Sequence, residues 1–248
     1  MVVMAGLLSR RGDDGRRSRR SVRRGFGGVG RDPQSFDDFA DRYDRRDELT
    51  GGWITEWLHG ILVGRGGESA VDLGCGTGRV AAELAGHYEH VRAVDLSQSM
   101  IDLARRKRRD PRITFEQGDL TEVTGQYDLV VSVMALHHVP DLPAALRRMS
   151  ELATPGGLVV LIDAAKDPPR SRWHLLYWNL KALIGDIGQA FEKFRLTSDL
   201  KWMDHLVSDR LLSPAEFVAT FQEALPGVVI TPESGLYTAV WQCPSNGP

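Results

Sequence analysis

Between Ser69 and Ala164 the chain repeats one unit: a short apolar run, a polar break, then an amphipathic stretch. The apolar runs are SAVDLG (69–74), VRAVD (91–95), RITFEQ (112–117), YDLVVSVM (127–134) and LVVLIDA (158–164). Their length and β-branched content mark them as strands, and the stretches between carry helical spacing. One helix presents Val80, Leu84 and Tyr88 on a single face, Ser97 caps a second carrying Met100, Leu103 and Ala104, and Pro143 to Leu152 forms a third. Several strands are apolar on both faces, which only a sheet covered by helices on both sides can bury. The alternation therefore predicts an α/β fold around a parallel sheet. TPGG (154–157) reads as the turn into the fifth strand. Further on, SPAE (213–216) supplies an N-cap, a proline at the first helical position and a capping-box glutamate. GVVIT (227–231) and LYTAVWQ (236–242) close the chain as a hairpin that adds an antiparallel strand.

The flanks differ in texture. Phe36, Phe39, Ala40 and Tyr43 share one helical face, and Trp53, Trp57, Leu58 and Ile61 form the stripe of a second helix that GRGG (64–67) ends. Residues 1–33 form a different kind of segment: between Arg10 and Arg31, nine arginines stand against Asp13 and Asp14, among glycines and serines. Such a segment buries too little apolar surface to fold alone, so it is expected to be a disordered tail. Binding to nucleic acid or acidic surfaces, a transit peptide, a twin-arginine signal and a dispensable extension all remain open for it. Residues 34–248 form the folded domain. Its 166–208 segment interrupts the alternation with Trp173, Tyr177, Trp178, Phe191, Phe194 and Trp202, and is expected to be a helical cap over the substrate.

Composition narrows the function. With a net charge of −2 and a strongly basic tail, the body of the chain is acidic, which argues against a nucleic-acid partner. No run of about 18 apolar residues exists to span a membrane. Two cysteines, Cys75 and Cys243, make no disulfide framework and suit the reducing cytoplasm. No metal site is read from the sequence.

VDLGCGTGR (71–79) lies between the first strand and the first helix of the alternation. Its glycines permit a tight turn and close approach of a ligand. It lacks the Gly-Lys-Ser/Thr of a phosphate P-loop and the spacing of dinucleotide folds. Asp95 ends the next strand, where an acid can hold two ribose hydroxyls, and Asp119 follows the third strand in GDL (118–120). Taken singly, each acid is an ordinary cap or turn residue. Together they fall at the carboxyl ends of successive strands, where α/β folds bind ligands.

With AVDLSQSM, QGDL, YDLVVSVMALHHV and LATPGGLVVLID, the chain resembles the class I S-adenosylmethionine-dependent methyltransferases over about residues 36–242. The resemblance implies a Rossmann-like seven-stranded sheet of order 3-2-1-4-5-7-6, with the last strand antiparallel. It implies S-adenosylmethionine as cofactor, with Gly74, Cys75 and Gly76 at its methionine end, Asp95 at the ribose, and Leu96, Met100, Asp119 and Leu120 around the adenine. Tyr43, Asp72, Gly118 and Val133 complete the expected contact set. Tyr43 belongs to a helix that either closes over the cofactor or packs in the core.

His137 and His138 follow the fourth strand, and Asp163 ends the fifth. An aliphatic hydroxyl acceptor needs a base, and imidazole serves near neutral pH. An HH pair with an acid on the next strand is similar to small-molecule O-methyltransferases acting on natural products. The expected catalytic set is thus His137, His138 and Asp163. In a structural alternative, one histidine contacts the cofactor backbone, the other binds the loop carrying Pro140, and Asp163 makes a strand-end turn. Two rival functions stay open: a cyclase or isomerase that uses the sulfonium electrostatically, and a binding module recruited through the tail.

Overall fold

The structure, a computed structural model, describes residues 40–50, 52–165, 173, 176, 211–233 and 236–245. The arginine-rich tail, Phe36 and Phe39 lie outside the described residues, as does the 166–208 segment apart from Trp173 and Leu176. Two helices lead in, α1 (Ala40–Thr50) and α2 (Gly52–Leu62). The alternation follows as β1 (Gly67–Leu73), α3 (Arg79–Leu84), β2 (Tyr88–Asp95), α4 (Gln98–Lys107) and β3 (Ile113–Gln117). It continues through β4 (Tyr127–Val133), α5 (Leu142–Leu152) and β5 (Ala153–Ala164), and closes with α6 (Pro214–Ala224), β6 (Val229–Glu233) and β7 (Leu236–Gln242).

The seven strands form one sheet in the order β3-β2-β1-β4-β5-β7-β6. The first five pair in parallel, while β7 runs antiparallel to both β5 and β6. The fold is thus the Rossmann-like sheet expected from the sequence. Alternate residues of β1 divide between the faces, because successive side chains in a strand point opposite ways. Val71 and Leu73 join Leu146 and Met149 of α5 and Phe217 and Phe221 of α6 on one side. Ala70 joins Leu58 and Leu62 of α2, Leu84 of α3 and Ile101 of α4 on the other. Each fully buried leucine or phenylalanine contributes roughly 2 kcal/mol. Strand order reverses between β1 and β4, which opens a crevice at their carboxyl ends.

Three local expectations are corrected. Tyr88 opens β2 instead of closing a helix, since α3 stops at Leu84 and Gly67 pairs with Tyr88 across the sheet. TPGG lies inside β5: Tyr127 pairs with Ala153 but Leu129 with Leu158, so the extra residues form a bulge. The Gly156 N–H donates to the Cys243 carbonyl and the Cys243 N–H to the Gly157 carbonyl, which keeps the bulge attached to the sheet. Met134 leaves the fourth strand early, with a left-handed φ of 55° that non-glycine residues adopt only when their surroundings hold them there.

Candidate active site

The glycine loop after β1 is built for two different reasons. A Cβ on Gly74 would stand 2.3 Å from the Ala135 Cβ, and one on Gly78 would stand 2.6 Å from Cε1 of Phe115. Both glycines also have φ near +78° (78° and 77°), so packing and backbone alone demand them. Gly76, at φ 51°, differs: a Cβ there meets no protein atom within 4 Å, yet Gly76 lines the crevice. The loop is pinned by Gly74 and Cys75 N–H groups donating to the Val94 carbonyl, and by the Gly76 N–H donating to Asp95 Oδ2 at 2.8 Å. Helix α3 behind it runs only six residues. Gly74→Ala is expected to destabilise the protein by about 3 kcal/mol, from strain and overpacking together, read as a lowered denaturation midpoint.

Two cavities meet at this loop. The larger, of about 480 Å³, is lined by Asp95, Leu96, Met100, Gly118, Asp119 and Leu120, and on its other wall by Ala135, His138, Pro140 and Arg148. The smaller, of about 260 Å³, is lined by Asp72, Cys75, Thr77, Arg46, Arg79 and Trp53. Tyr43, Gly74, Gly76, Val133 and Met134 line both. The geometry brings every residue expected around a nucleoside into the first cavity, and Asp72 and Cys75 into the second.

The acids are held in distinct ways. Asp95 accepts from the Ser97 N–H through Oδ1 at 2.9 Å as well as from Gly76 through Oδ2. Asp119 caps a 3-10 turn, Leu120–Glu122, by accepting from the Thr121 N–H and hydroxyl. Asp72 is buried on the wall of the second cavity, and its Oδ2 has no hydrogen-bond partner. Burial, reinforced by the negative charge of Asp95, pushes its carboxyl up to about 7. An unpartnered buried carboxylate oxygen on a cavity wall suits a cationic ligand group such as an ammonium.

The two histidines diverge in a 3-10 turn, Leu136–His138. The His137 ring turns inward, and its Nδ1 lies 2.6 Å from Asp163 Oδ1. Its backbone N–H donates to Asp163 Oδ2 at 2.9 Å, and Asp163 Oδ1 also accepts from the Ala164 N–H. With both carboxylate oxygens accepting, Nδ1 of His137 carries the proton. His138, by contrast, lines the larger cavity, with its ring centroid 4.0 Å from that of His137. His137 and Asp163 line neither cavity.

Sequence reasoning did not anticipate how α1 is fastened. The buried Asp44 carboxylate accepts from the Thr77 hydroxyl at 2.6 Å and from Arg108 at 3.2 Å, and pairs with Lys107. Burial alone would raise this carboxyl, but the Lys107 and Thr77 hydrogen bonds and the Arg108 charge outweigh it and hold it below its usual range. Arg79 adds a bond to the Asp47 carbonyl at 2.6 Å. Thus α1 is tied to both the glycine loop and α4, with Tyr43 on the cavity wall under the Arg46 guanidinium, 4.9 Å from its ring centroid. Asp44→Ala should lower stability by about 2 kcal/mol. Since its pKa is depressed, the Asp44 contribution is present above the unfolded carboxylate range and fades as the pH falls through the folded value; a pH series of urea midpoints checks this.

Fold and site together define a doubly wound α/β protein with a nucleoside-sized crevice at its switch point. The family described as "Methyltransferase domain" matches residues 70–157. Trans-aconitate 2-methyltransferase of Deinococcus radiodurans is 37% identical over 185 residues, spanning 74% of this chain and 67% of that protein. An uncharacterised methyltransferase of Mycobacterium bovis is 30% identical over 145 residues, 57% of this chain and 72% of the relative. The DhpI–SAH complex structure shares the fold, with a TM-score of 0.62 at 21% identity, covering 90% of this chain and 99% of that one. The chain belongs to the S-adenosylmethionine-dependent methyltransferases. It is an enzyme whose cofactor is S-adenosylmethionine, and no described helix is long and apolar enough to cross a membrane.

Proposed function

We propose that the protein methylates an oxygen of a small molecule, a hydroxyl in the first instance, with His138 taking the proton. The observation that carries this is His138 on the wall of the larger cavity, with the Asp163-held His137 ring behind it. The bound cofactor supplies an electrophilic methyl group on a sulfonium, which is already a good leaving group. The chain's own residues then align the acceptor and manage its proton, and alignment alone is worth several kcal/mol.

The cofactor fits the residues present. Asp72, with its unpartnered oxygen, would take the α-ammonium group in the smaller cavity beside Gly74, Cys75 and Gly76. Asp95 would accept from the ribose hydroxyls, while Leu96, Met100, Gly118, Asp119 and Leu120 would enclose the adenine, with Tyr43 and Val133 between. Asp163 holds the His137 ring, and His137 in turn backs the His138 ring, which supports His138 as the base for an acceptor bound in the larger cavity. Cys75 and Cys243 are both free and buried, which supports work in the reducing cytoplasm.

A second reading has its own support. The Deinococcus relative is named for trans-aconitate, a carboxylate, and Arg148 lines the larger cavity. A carboxylate oxygen is already ionised at neutral pH and needs no base. The deciding measurement incubates the full chain with methyl-labelled S-adenosylmethionine and a panel of alcohols, phenols, amines and carboxylic acids. Label in an ether product supports the hydroxyl reading, and label in a methyl ester supports the carboxylate. Label on nitrogen alone, or none with any acceptor, defeats the proposal.

A further inference from the structure

At the amino ends of β1 and β2, the opposite end of the sheet from the glycine loop, three side chains converge that methyl transfer does not use. They are His59 on α2, Glu83 near the end of α3, and His87 in the turn entering β2. His59 Nδ1 lies 2.8 Å from Glu83 Oε1, and His87 Nε2 lies 3.7 Å from the same oxygen. All three donor atoms fall within 4.8 Å of one another. From these distances we infer that His59, Glu83 and His87 form a binding site for a divalent transition-metal ion of the zinc class.

The donor chemistry selects the ion. Two imidazoles and one carboxylate suit zinc and its neighbours, while magnesium and calcium prefer all-oxygen shells. Tetrahedral zinc with bonds near 2.1 Å places its ligand atoms about 3.4 Å apart, between the 2.8 Å and 3.7 Å separations found here. The far ring nitrogen of His87 supports the assignment. Its Nδ1 faces the Arg65 carbonyl at 3.4 Å, so Nδ1 carries the proton and Nε2 presents its lone pair to Glu83. Metal-bound histidines are commonly oriented through such a backbone carbonyl. Glu83 and His87 are largely enclosed, with side-chain exposures of 22% and 17%, whereas His59 is 60% exposed and free to adjust. The His59 and His87 rings stand edge to face, with centroids 5.7 Å apart.

Without metal the same residues make an ordinary His59–Glu83 hydrogen bond, worth little at an exposed site. With metal, α2 is clipped to α3 behind the sheet, away from the methyl-transfer cleft. The test uses the full chain, stripped with chelator, titrated calorimetrically with zinc chloride and separately with magnesium chloride. One zinc equivalent should bind to the wild type, and melting should rise with zinc and not with magnesium. His59→Ala, at an exposed position, should keep the fold by circular dichroism while weakening zinc binding at least tenfold and abolishing the thermal shift. Cobalt should give a tetrahedral visible spectrum in the wild type and lose it in Glu83→Gln. Equal zinc affinity in wild type and His59→Ala, or an equal thermal shift from magnesium, overturns the site.

Discussion

Asp72→Asn should weaken S-adenosylmethionine binding about 10²-fold, the scale for losing one partner of a buried charge pair. The reason lies in the state of the carboxyl before ligand arrives. Burial first, and Asp95 second, push it up to about 7. A carboxyl raised above its unfolded value of about 4 favours the fold while protonated and loses that advantage as the pH climbs from about 4 through about 7. The apoprotein should therefore gain nothing from an ionised Asp72 at pH 8, and the asparagine variant should be at least as stable there. A bound ammonium reverses the balance, because a nearby cation favours the carboxylate. Cofactor affinity should accordingly increase with pH up to about 7 in the wild type and be flatter in the variant. Calorimetry at pH 6 and pH 8, with melting curves of both apoproteins, reads all of this. An unchanged Kd in the variant would remove Asp72 from the cofactor site.

His138→Ala should cut kcat about 10²-fold on a hydroxyl acceptor, the scale of a lost general base, with cofactor affinity unchanged. The acid limb of the kcat–pH profile should vanish with it. His137→Ala removes a group that lines neither cavity and is held by Asp163 through both ring and backbone. Its loss should lower stability and kcat together, and Asp163→Asn should displace the acid limb without erasing it. A purely structural pair would move stability and leave the pH profile where it was. Retention of turnover within a few fold in His138→Ala would instead favour the carboxylate acceptor.

Local signals in the sequence survived folding best. The Ser213 cap and its Glu216 partner formed as read, since a capping box needs only residues three apart. Ser97 likewise caps α4. Tyr88 was misread because it stands four residues after Leu84, a helical interval, and only pairing with Gly67 reveals its strand. The TPGG bulge depends on Cys243, far along the chain, and no turn rule contains that contact. The Asp44 network was invisible for the same reason, with partners 33 and 63 residues away. The histidine pair was legible as adjacency. Which ring turns inward was not, because the 3-10 turn and Asp163 decide it jointly.

The division of labour within the glycine loop has a consequence for how this enzyme can change. At Gly74 a wrong residue announces itself as lost stability, which in a cell lowers abundance through quality control. At Gly76 no protein atom obstructs a Cβ, so the fold bears only the strain of a left-handed backbone while the new side chain narrows the cleft. Abundance and activity are thus uncoupled at one glycine and fused at another two residues away. A library sorted only for expression would keep the inactive members.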